Sequence, residues 1–386
     1  MCCNLKSENS SQINGSAFPD LNSFTHGSMG MTRLLKRWYA VHRRDLPWRP
    51  PMGTCAPVNP YAVLVSEFML QQTQVATVSG YFLRFMKSFP TLSALAAASE
   101  QDVLRHWQGL GYYSRARNLL AAAKRIEADF VGQIPGGVEE LSALPGIGRY
   151  TAGAISSIAF GRRAAILDGN VARVLCRLKK IQSDPRQPET IKLLWHLAEE
   201  ILPRRDCGQF NSALMELGAT ICTPRRPRCP ICPVRSFCQA FAAGLQETIP
   251  APRKSRPTPI HARWTLCIRR HNRWLMERRP SAGRWAGLWQ FLTVEAGRIP
   301  PTSAAIAAQI GIPIGPLRQL GQIRHALTHR RYIFTAFIAT ALSASRSQNR
   351  KWIRLEDLDD FPLSRPQLKI AEMLQASISG LQCPAE

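Results

Sequence analysis

Leu144-Pro145-Gly146-Ile147-Gly148 decides how the first half of this chain folds. It lies between two stretches of helical spacing, one ending near Leu141 and the next beginning near Arg149. Glycine adopts positive φ without a Cβ penalty, so Gly146 and Gly148 can turn successive backbone N–H groups outward at the start of the second helix, where a phosphate would be held. By itself the segment also reads as an ordinary helix–helix turn. Around it, from Met31 to about Gln239, apolar residues recur at three- and four-residue spacing, as in Leu35, Trp38, Tyr39 and Val41, then Leu119, Ala123, Ile126 and Phe130. Ser99 with Asp102, and Pro188 with Glu189, mark helix starts. This half is expected to be all-α.

The character changes after a Pro- and basic-rich stretch, 248–260, which has linker composition. Beyond it come β-branched and aromatic runs at Arg263–Arg270, Arg273–Arg279, Leu288–Val294, Tyr332–Ala339 and Lys351–Leu355, with helical stretches at Thr302–Ile310 and Arg365–Ala376. The expected organisation is multidomain: a disordered, Ser/Asn/Gly-rich tail over 1–30, an all-α domain over 31–247, the linker, an α+β domain over 261–376 and a tail over 377–386. Met29 and Met31 are both candidate translation starts.

Fifty Lys+Arg against 26 Asp+Glu leave a net charge of +24, which makes a polyanion the expected partner. Ribosomal and membrane-surface proteins can be equally basic, so charge alone does not choose among them. No apolar run reaches the ~20 residues of a membrane helix, and the first 30 residues lack a secretory core. The expected compartment is the bacterial cytoplasm, on the nucleoid, with no membrane partner. Eleven cysteines in such a chain point to reduced thiols or metal ligation, not a disulfide framework.

Four of them, Cys222, Cys229, Cys232 and Cys238, are separated by six, two and five residues, with Pro227, Pro230 and Pro233 between. Four convergent thiolates hold either a [4Fe-4S] cluster or a structural zinc. Zinc sites pair their cysteines as two short knuckles, and only one such pair is present here, which favours the cluster. Cys176, Cys207 and Cys267 fall in apolar stretches and are expected to pack as small hydrophobes.

Two acids stand out. Glu67, in Ser66-Glu67-Phe68-Met69-Leu70-Gln71-Gln72-Thr73-Gln74, follows a run of apolar residues; a buried acid has its neutral form favoured and can donate a proton. Asp168 sits in Leu167-Asp168-Gly169-Asn170, about twenty residues after the hairpin. Singly, Glu67 could pair with an arginine and Asp168 could simply make a turn.

Together these segments resemble the MutY-type adenine DNA glycosylases, from about Met31 to the last helix. The likeness is carried by Leu46-Pro47-Trp48-Arg49, Ser66-Glu67 through Gln74-Val75, Gly109-Leu110-Gly111-Tyr112-Tyr113-Ser114-Arg115-Ala116-Arg117-Asn118-Leu119, the hairpin, Leu167 to Val171 and the cysteine loop. The resemblance implies a helix-hairpin-helix glycosylase domain with an iron-sulfur loop. It implies that Glu67 protonates N7 of a flipped adenine and that Asp168 stabilises the positively charged sugar, with Asn170 orienting acids or water. Gln72 and Tyr112 become the candidates for filling the gap in the duplex, with Leu70 and Thr73 beside them. Gly146 and Gly148 become phosphate contacts, and Arg44, Trp48 and Arg49 match an Arg-rich DNA-facing segment. Endonuclease III-type relatives place a Schiff-base lysine where this chain has Tyr150 in Gly146-Ile147-Gly148-Arg149-Tyr150. Tyr150 therefore implies hydrolysis without strand cleavage, its hydroxyl serving the pocket.

Residues 261–376 resemble the Nudix-like C-terminal domain of the same family, notably Glu277-Arg278-Arg279-Pro280 through Trp289. A Nudix hydrolase holds magnesium on a carboxylate-rich helix, which is missing here, so pyrophosphate hydrolysis is not expected. In the family this domain recognises 8-oxoguanine through a Phe-Ser-His loop. Here that loop reads Arg324-His325-Ala326-Leu327-Thr328-His329, so Thr328 keeps the hydroxyl, His329 the imidazole, and Leu327 loses the ring. The expected partner is duplex DNA with A opposite 8-oxoguanine or G, and the enzyme is expected to act as a monomer. The alternatives are an endonuclease III-like glycosylase/lyase and a non-catalytic DNA-binding protein. Arg225, Arg226 and Arg228 in the cysteine loop are expected to rest on phosphate.

Overall fold

The computed structural model describes residues 27–54, 56–251, 257–297, 301–344 and 347–379. Of the tails expected over 1–30 and 377–386, residues 1–26 and 380–386 lie outside the described residues, as does the linker centre 252–256, while 27–30 and 377–379 are helical.

The chain begins with helices α1 (Gly27–His42), α2 (Pro60–Leu70), α3 (Val75–Ser88), α4 (Leu92–Ala97), α5 (Glu100–His106), α6 (Ser114–Phe130), α7 (Val138–Ser142) and α8 (Arg149–Phe160). They are followed by α9 (Gly169–Leu178), α10 (Pro188–Glu200), α11 (Cys207–Thr220) and α12 (Gln239–Ala242). Then come strands β1 (Ile260–Arg270), β2 (Arg273–Arg278) and β3 (Trp289–Glu295), helix α13 (Ser303–Ile310), strands β4 (Arg318–Leu327), β5 (Arg330–Thr340) and β6 (Arg350–Ile353), and helix α14 (Arg365–Ser379). Local chemistry explains the starts. Asn59 accepts hydrogen bonds from the amides of Tyr61 and Ala62 ahead of Pro60, Ser99 accepts from Asp102 N–H, and Thr302 accepts from Ala305 N–H.

Packing does not follow chain order. One compact unit joins α1 to α9–α12; the other joins α2–α8 to the sheet, α13 and α14. In the first, α9 packs against α10, α11 and α12, burying Val171, Val174, Leu175 and Cys176, while α11 also meets α1. Gly218 lets α11 come close, because a Cβ there would lie 2.7 Å from Asn170 Cβ. Leu35 and Tyr39 are buried as expected, but Val41 is 64% exposed, on the solvent side of α1.

In the second unit a helical core of Leu64, Phe68, Phe85, Trp107, Leu119, Ala123 and Ile126 extends to Leu288 of the β-rich half. The sheet runs β4-β5-β1-β3-β2-β6 and is mixed, β1 and β5 being parallel and the other pairs antiparallel. Alternation along the strands buries both faces. Leu266, Ile268 and Leu292 pack with Ile306 and Ile310 of α13, and Phe291, Phe334 and Ala336 pack with Ile370 and Leu374 of α14. The two halves interlock through polar bonds: Tyr113 Oη donates to Leu363 O (3.1 Å), Arg117 Nη1 to Ala286 O (2.6 Å), and Trp289 Nε1 to Gln101 Oε1 (3.0 Å).

Strand β4 is absent from the sequence reading, because Arg318, Gln319, Gln322 and Arg324 make it look like loop. Its pairing with β5 puts Arg324–Leu327 on a strand, leaving only Thr328 and His329 as the turn. Leu355–Asp360 forms a 3-10 turn instead of extending β6.

Candidate active site

Glu67 lies on α2, where every residue from Tyr61 to Met69 is buried, and is itself 6% exposed. This helix packs against α8, which carries Tyr150 at its second position. Tyr150 is half-buried. The hairpin between α7 and α8 holds itself by Leu144 and Ile147, which are buried, and presents Gly146, Gly148 and Arg149 to solvent. Only one glycine uses positive φ. Gly146 sits at φ 76°, with Asn118 where a Cβ would go, whereas Gly148 is the extended N-cap of α8 at φ −92° and has open space around its Cα. The expectation that both glycines turn left-handed is corrected: one turn reverses the chain, and the helix start needs an extended residue.

At the end of α2 the chain turns through Gln72, exposed and held at φ 57°, with Thr73 half-buried and Leu70 packed against the core. Tyr112, 44% exposed at φ 49°, stands at the end of the Gly109–Tyr112 loop. Its hydroxyl shares a hydrogen bond with Thr328 Oγ1 in the β4–β5 turn. A cleft of about 500 Å³ is lined there by Gly111, Tyr112, Arg117, Trp285, Leu327 and His329, among others. The sequence-predicted residues Tyr112, Leu327, Thr328 and His329 thus converge. Leu327 is half-buried against the sheet core, and Thr328 and His329 are exposed. Trp48 does not join a DNA-facing surface: it is 9% exposed, edge-on to Phe82 (5.4 Å), and its indole serves the core. Arg44 and Arg49 are half-buried, and Arg49 Nη1 donates to Arg44 O (3.1 Å).

In the other compact unit, Asp168 is the N-cap of α9. Its carboxylate accepts from Val171 N–H (2.7 Å) and from Asn170 Nδ2 (3.0 Å). Burial pushes its carboxyl above the usual aspartate range, against the opposing pull of these donors and of Arg173. Asn170 Oδ1 in turn accepts from Arg173 Nη2 (2.9 Å), and the same guanidinium donates from Nε to Cys222 O (2.8 Å) and from Nη2 to Gly218 O (2.8 Å). One turn further along α9, Arg177 is 2% exposed and donates to Cys222 Sγ (3.3 Å), Thr223 O (2.7 Å), Pro224 O (3.2 Å) and Ile249 O (2.8 Å). Helix α9 therefore carries the acid at one end and anchors the cysteine loop along its side. Sequence reading missed Arg173 and Arg177. Their signal was two arginines four residues apart on a strongly amphipathic helix.

Cys222, Cys229, Cys232 and Cys238 line one cavity with Arg177, Phe241 and Gln246, after two 3-10 turns, Cys229–Ile231 and Arg235–Phe237. Burial pushes the Cys232 thiol up to about 12, and Cys229 and Cys238 rise for the same reason. A four-sulfur donor set lining one cavity, with Arg177 donating to Cys222 Sγ, fits an iron-sulfur group. Cys176, Cys207 and Cys267 are buried elsewhere, as expected.

Residues 65–200 match the HhH-GPD superfamily of base excision DNA repair proteins, 222–238 the iron-sulfur binding domain of endonuclease III, and 263–373 the NUDIX domain. The "Adenine DNA glycosylase" of Rattus norvegicus is 35% identical over 405 residues, spanning 90% of this chain and 78% of the rat protein. The protein of the same name from Homo sapiens is also 35% identical over 405 residues, spanning 90% and 74%. That of Buchnera aphidicola subsp. Schizaphis graminum (strain Sg) is 31% identical over 349 residues, spanning 89% and 98%.

The chain belongs to the adenine DNA glycosylase family.

Its members are hydrolases of N-glycosyl bonds in base excision repair, and this chain has the family's layout, a helix-hairpin-helix half followed by a Nudix half. The cysteine loop is an endonuclease III-type [4Fe-4S] binding domain, and the zinc alternative falls away. Among the described residues no helix is long and apolar enough to cross a membrane.

Proposed function

We propose that this protein hydrolyses the N-glycosidic bond of adenine mispaired with 8-oxoguanine or guanine in duplex DNA, without cutting the strand. The burial of Glu67 in the body of α2 carries this reading, because a sequestered carboxylic acid is a suitable general acid. A purine leaves once its ring is protonated; Glu67 delivers that proton to N7. The sugar left behind is oxocarbenium-like, and we assign its stabilisation to Asp168, whose carboxyl group is held by the Val171 amide and Asn170. Asn170 keeps that carboxylate oriented, and Tyr150 offers a hydroxyl where a lyase needs an amine.

Extruding adenine costs a few kcal/mol of stacking. Gln72 and Tyr112, exposed at the tips of two turns, fill the gap, with Leu70 behind them and Thr73 beside them. Gly146 and Gly148 present amides to phosphate, and Arg44, Arg49 and the Arg225, Arg226 and Arg228 loop add charge. The cleft where Tyr112 meets Thr328 supports recognition of the opposite 8-oxoguanine by Thr328, His329 and Leu327. We place the enzyme as a monomer on the bacterial nucleoid.

Single-turnover base release on end-labelled duplexes with A opposite 8-oxoguanine, G or T, with and without hot alkali, tests the proposal. Breaks only after alkali, on the first two duplexes, are the expected result. Breaks without alkali would indicate a lyase, and tight binding without release a DNA-binding protein.

A further inference from the structure

Arg115, the second residue of α6, is 6% exposed, and each of its hydrogen bonds ends on a carbonyl or hydroxyl oxygen. Nη1 donates to Phe68 O (3.0 Å), Met69 O (2.7 Å) and Gln71 O (2.6 Å). Nη2 donates to Thr73 Oγ1 (3.1 Å), Leu110 O (3.5 Å) and Gly111 O (3.0 Å). The guanidinium also lies over the rings of Trp107 and Tyr112, 5.4 Å from each centroid. Phe68 and Met69 belong to the last turn of α2, whose carbonyls lack partners within the helix and favour a cation. Gln71 and Thr73 flank Gln72, while Leu110 and Gly111 precede Tyr112, and both Gln72 and Tyr112 hold positive φ. Left-handed backbone at residues with a Cβ persists only where the surroundings over-determine it, and one guanidinium binds both turns.

We propose that Arg115 is a positioning residue that locks the Gln71–Thr73 turn and the Gly109–Tyr112 loop into a single mechanical unit, together with the end of the helix that bears Glu67. The two residues that enter the duplex then advance in fixed register with each other and with the acid. The mechanical claim stands on the contacts; its effect on base release rests on the function proposed above. A lysine cannot replace this group, because a point charge with three donors cannot span acceptors from two turns in the plane of a rigid fork. Burial lowers the Arg115 pKa to about 10, so the guanidinium stays charged at neutral pH.

Hydrogen exchange on the full chain, parent against Arg115→Lys, tests the lock directly. The amides of the two segments should lose protection together, while α10 is unchanged. In the same variant, single-turnover adenine release at saturating protein should fall about 100-fold, the scale of a misplaced catalytic group, and unstacking of a 2-aminopurine placed at the target should weaken. Loss of protection in one segment alone, or in neither, would overturn the lock. Full protection loss with an unchanged release rate would overturn its role in positioning. If the parent chain itself releases no adenine, the functional reading fails, and the exchange result still decides the lock. Arg115→Met is the harsher variant; should it not fold, the lysine variant suffices.

Discussion

Glu67 and Asp168 are both acids on helices, and the two regions hold them in opposite ways. Glu67 sits in the last third of a helix buried along its length, packed against the helix that follows the hairpin. Asp168 stands in front of a helix, where its oxygens accept from a backbone amide and from Asn170, and where Arg173 and Arg177 tie the same helix to the cysteine loop. The first environment is set by hydrophobic packing around a continuous helix. The second is set by a chain of directed polar bonds that ends on a cysteine ligand. A sequestered side chain in a packed helix suits a general acid, and a carboxyl group held by directed donors suits a developing cation.

The largest effect that could break this contrast is on turnover. Glu67→Gln and Asp168→Asn should each lower single-turnover adenine release by about 10³-fold or more, within the range for lost acid and electrostatic catalysis. Asparagine caps a helix as well as aspartate, so Asp168→Asn should do this with its fold intact. Full release by either variant would remove that acid from the mechanism.

The next effect concerns the cysteine loop. Removal of the iron-sulfur group, or Arg173→Gln, should increase hydrogen exchange at the start of α9 and slow base release, with little change in exchange at α2. Equal disturbance of α2 would show that the two acids do not depend on different supports.

The smallest effects are on pH. Because the Asp168 carboxyl titrates above the usual aspartate range, the acid limb of the release rate should lie above that of an exposed aspartate. A limb at or below the ordinary range would assign it to another group. The stability sign follows from the same shift. With a folded pKa above the unfolded one, the carboxyl contributes stability that is full below the unfolded pKa and lost as pH rises through the folded pKa. Asp168→Asn should therefore melt at or slightly above the parent near neutral pH. The difference should close in acid.

Much of this was legible along the chain because it rests on short-range rules. Helix starts such as Ser99 and Pro188, buried cysteines, the hairpin and the β-branched strands all depend on neighbours a few residues away. Strand β4 was not legible, because its polar outer face hides a period that only pairing with β5 reveals. Trp48 looked like a surface contact beside two arginines, and its place against Phe82 is a matter of packing from a distant helix.

By itself the sequence determined the helical and α+β halves and the four-cysteine ligand set, which are properties of residue type and spacing. The two acids and the tyrosine at the lyase position gained their roles only through the resemblance to the family. Only the tertiary structure decided that α1 packs with α9–α12, that Arg173 and Arg177 tie α9 to the cysteine loop, and that Arg115 serves two turns and a helix end at once. Such links join residues tens of positions apart through hydrogen bonds whose acceptors are mostly backbone carbonyls. Every residue has a carbonyl, so no side-chain pattern announces which one a buried arginine will find.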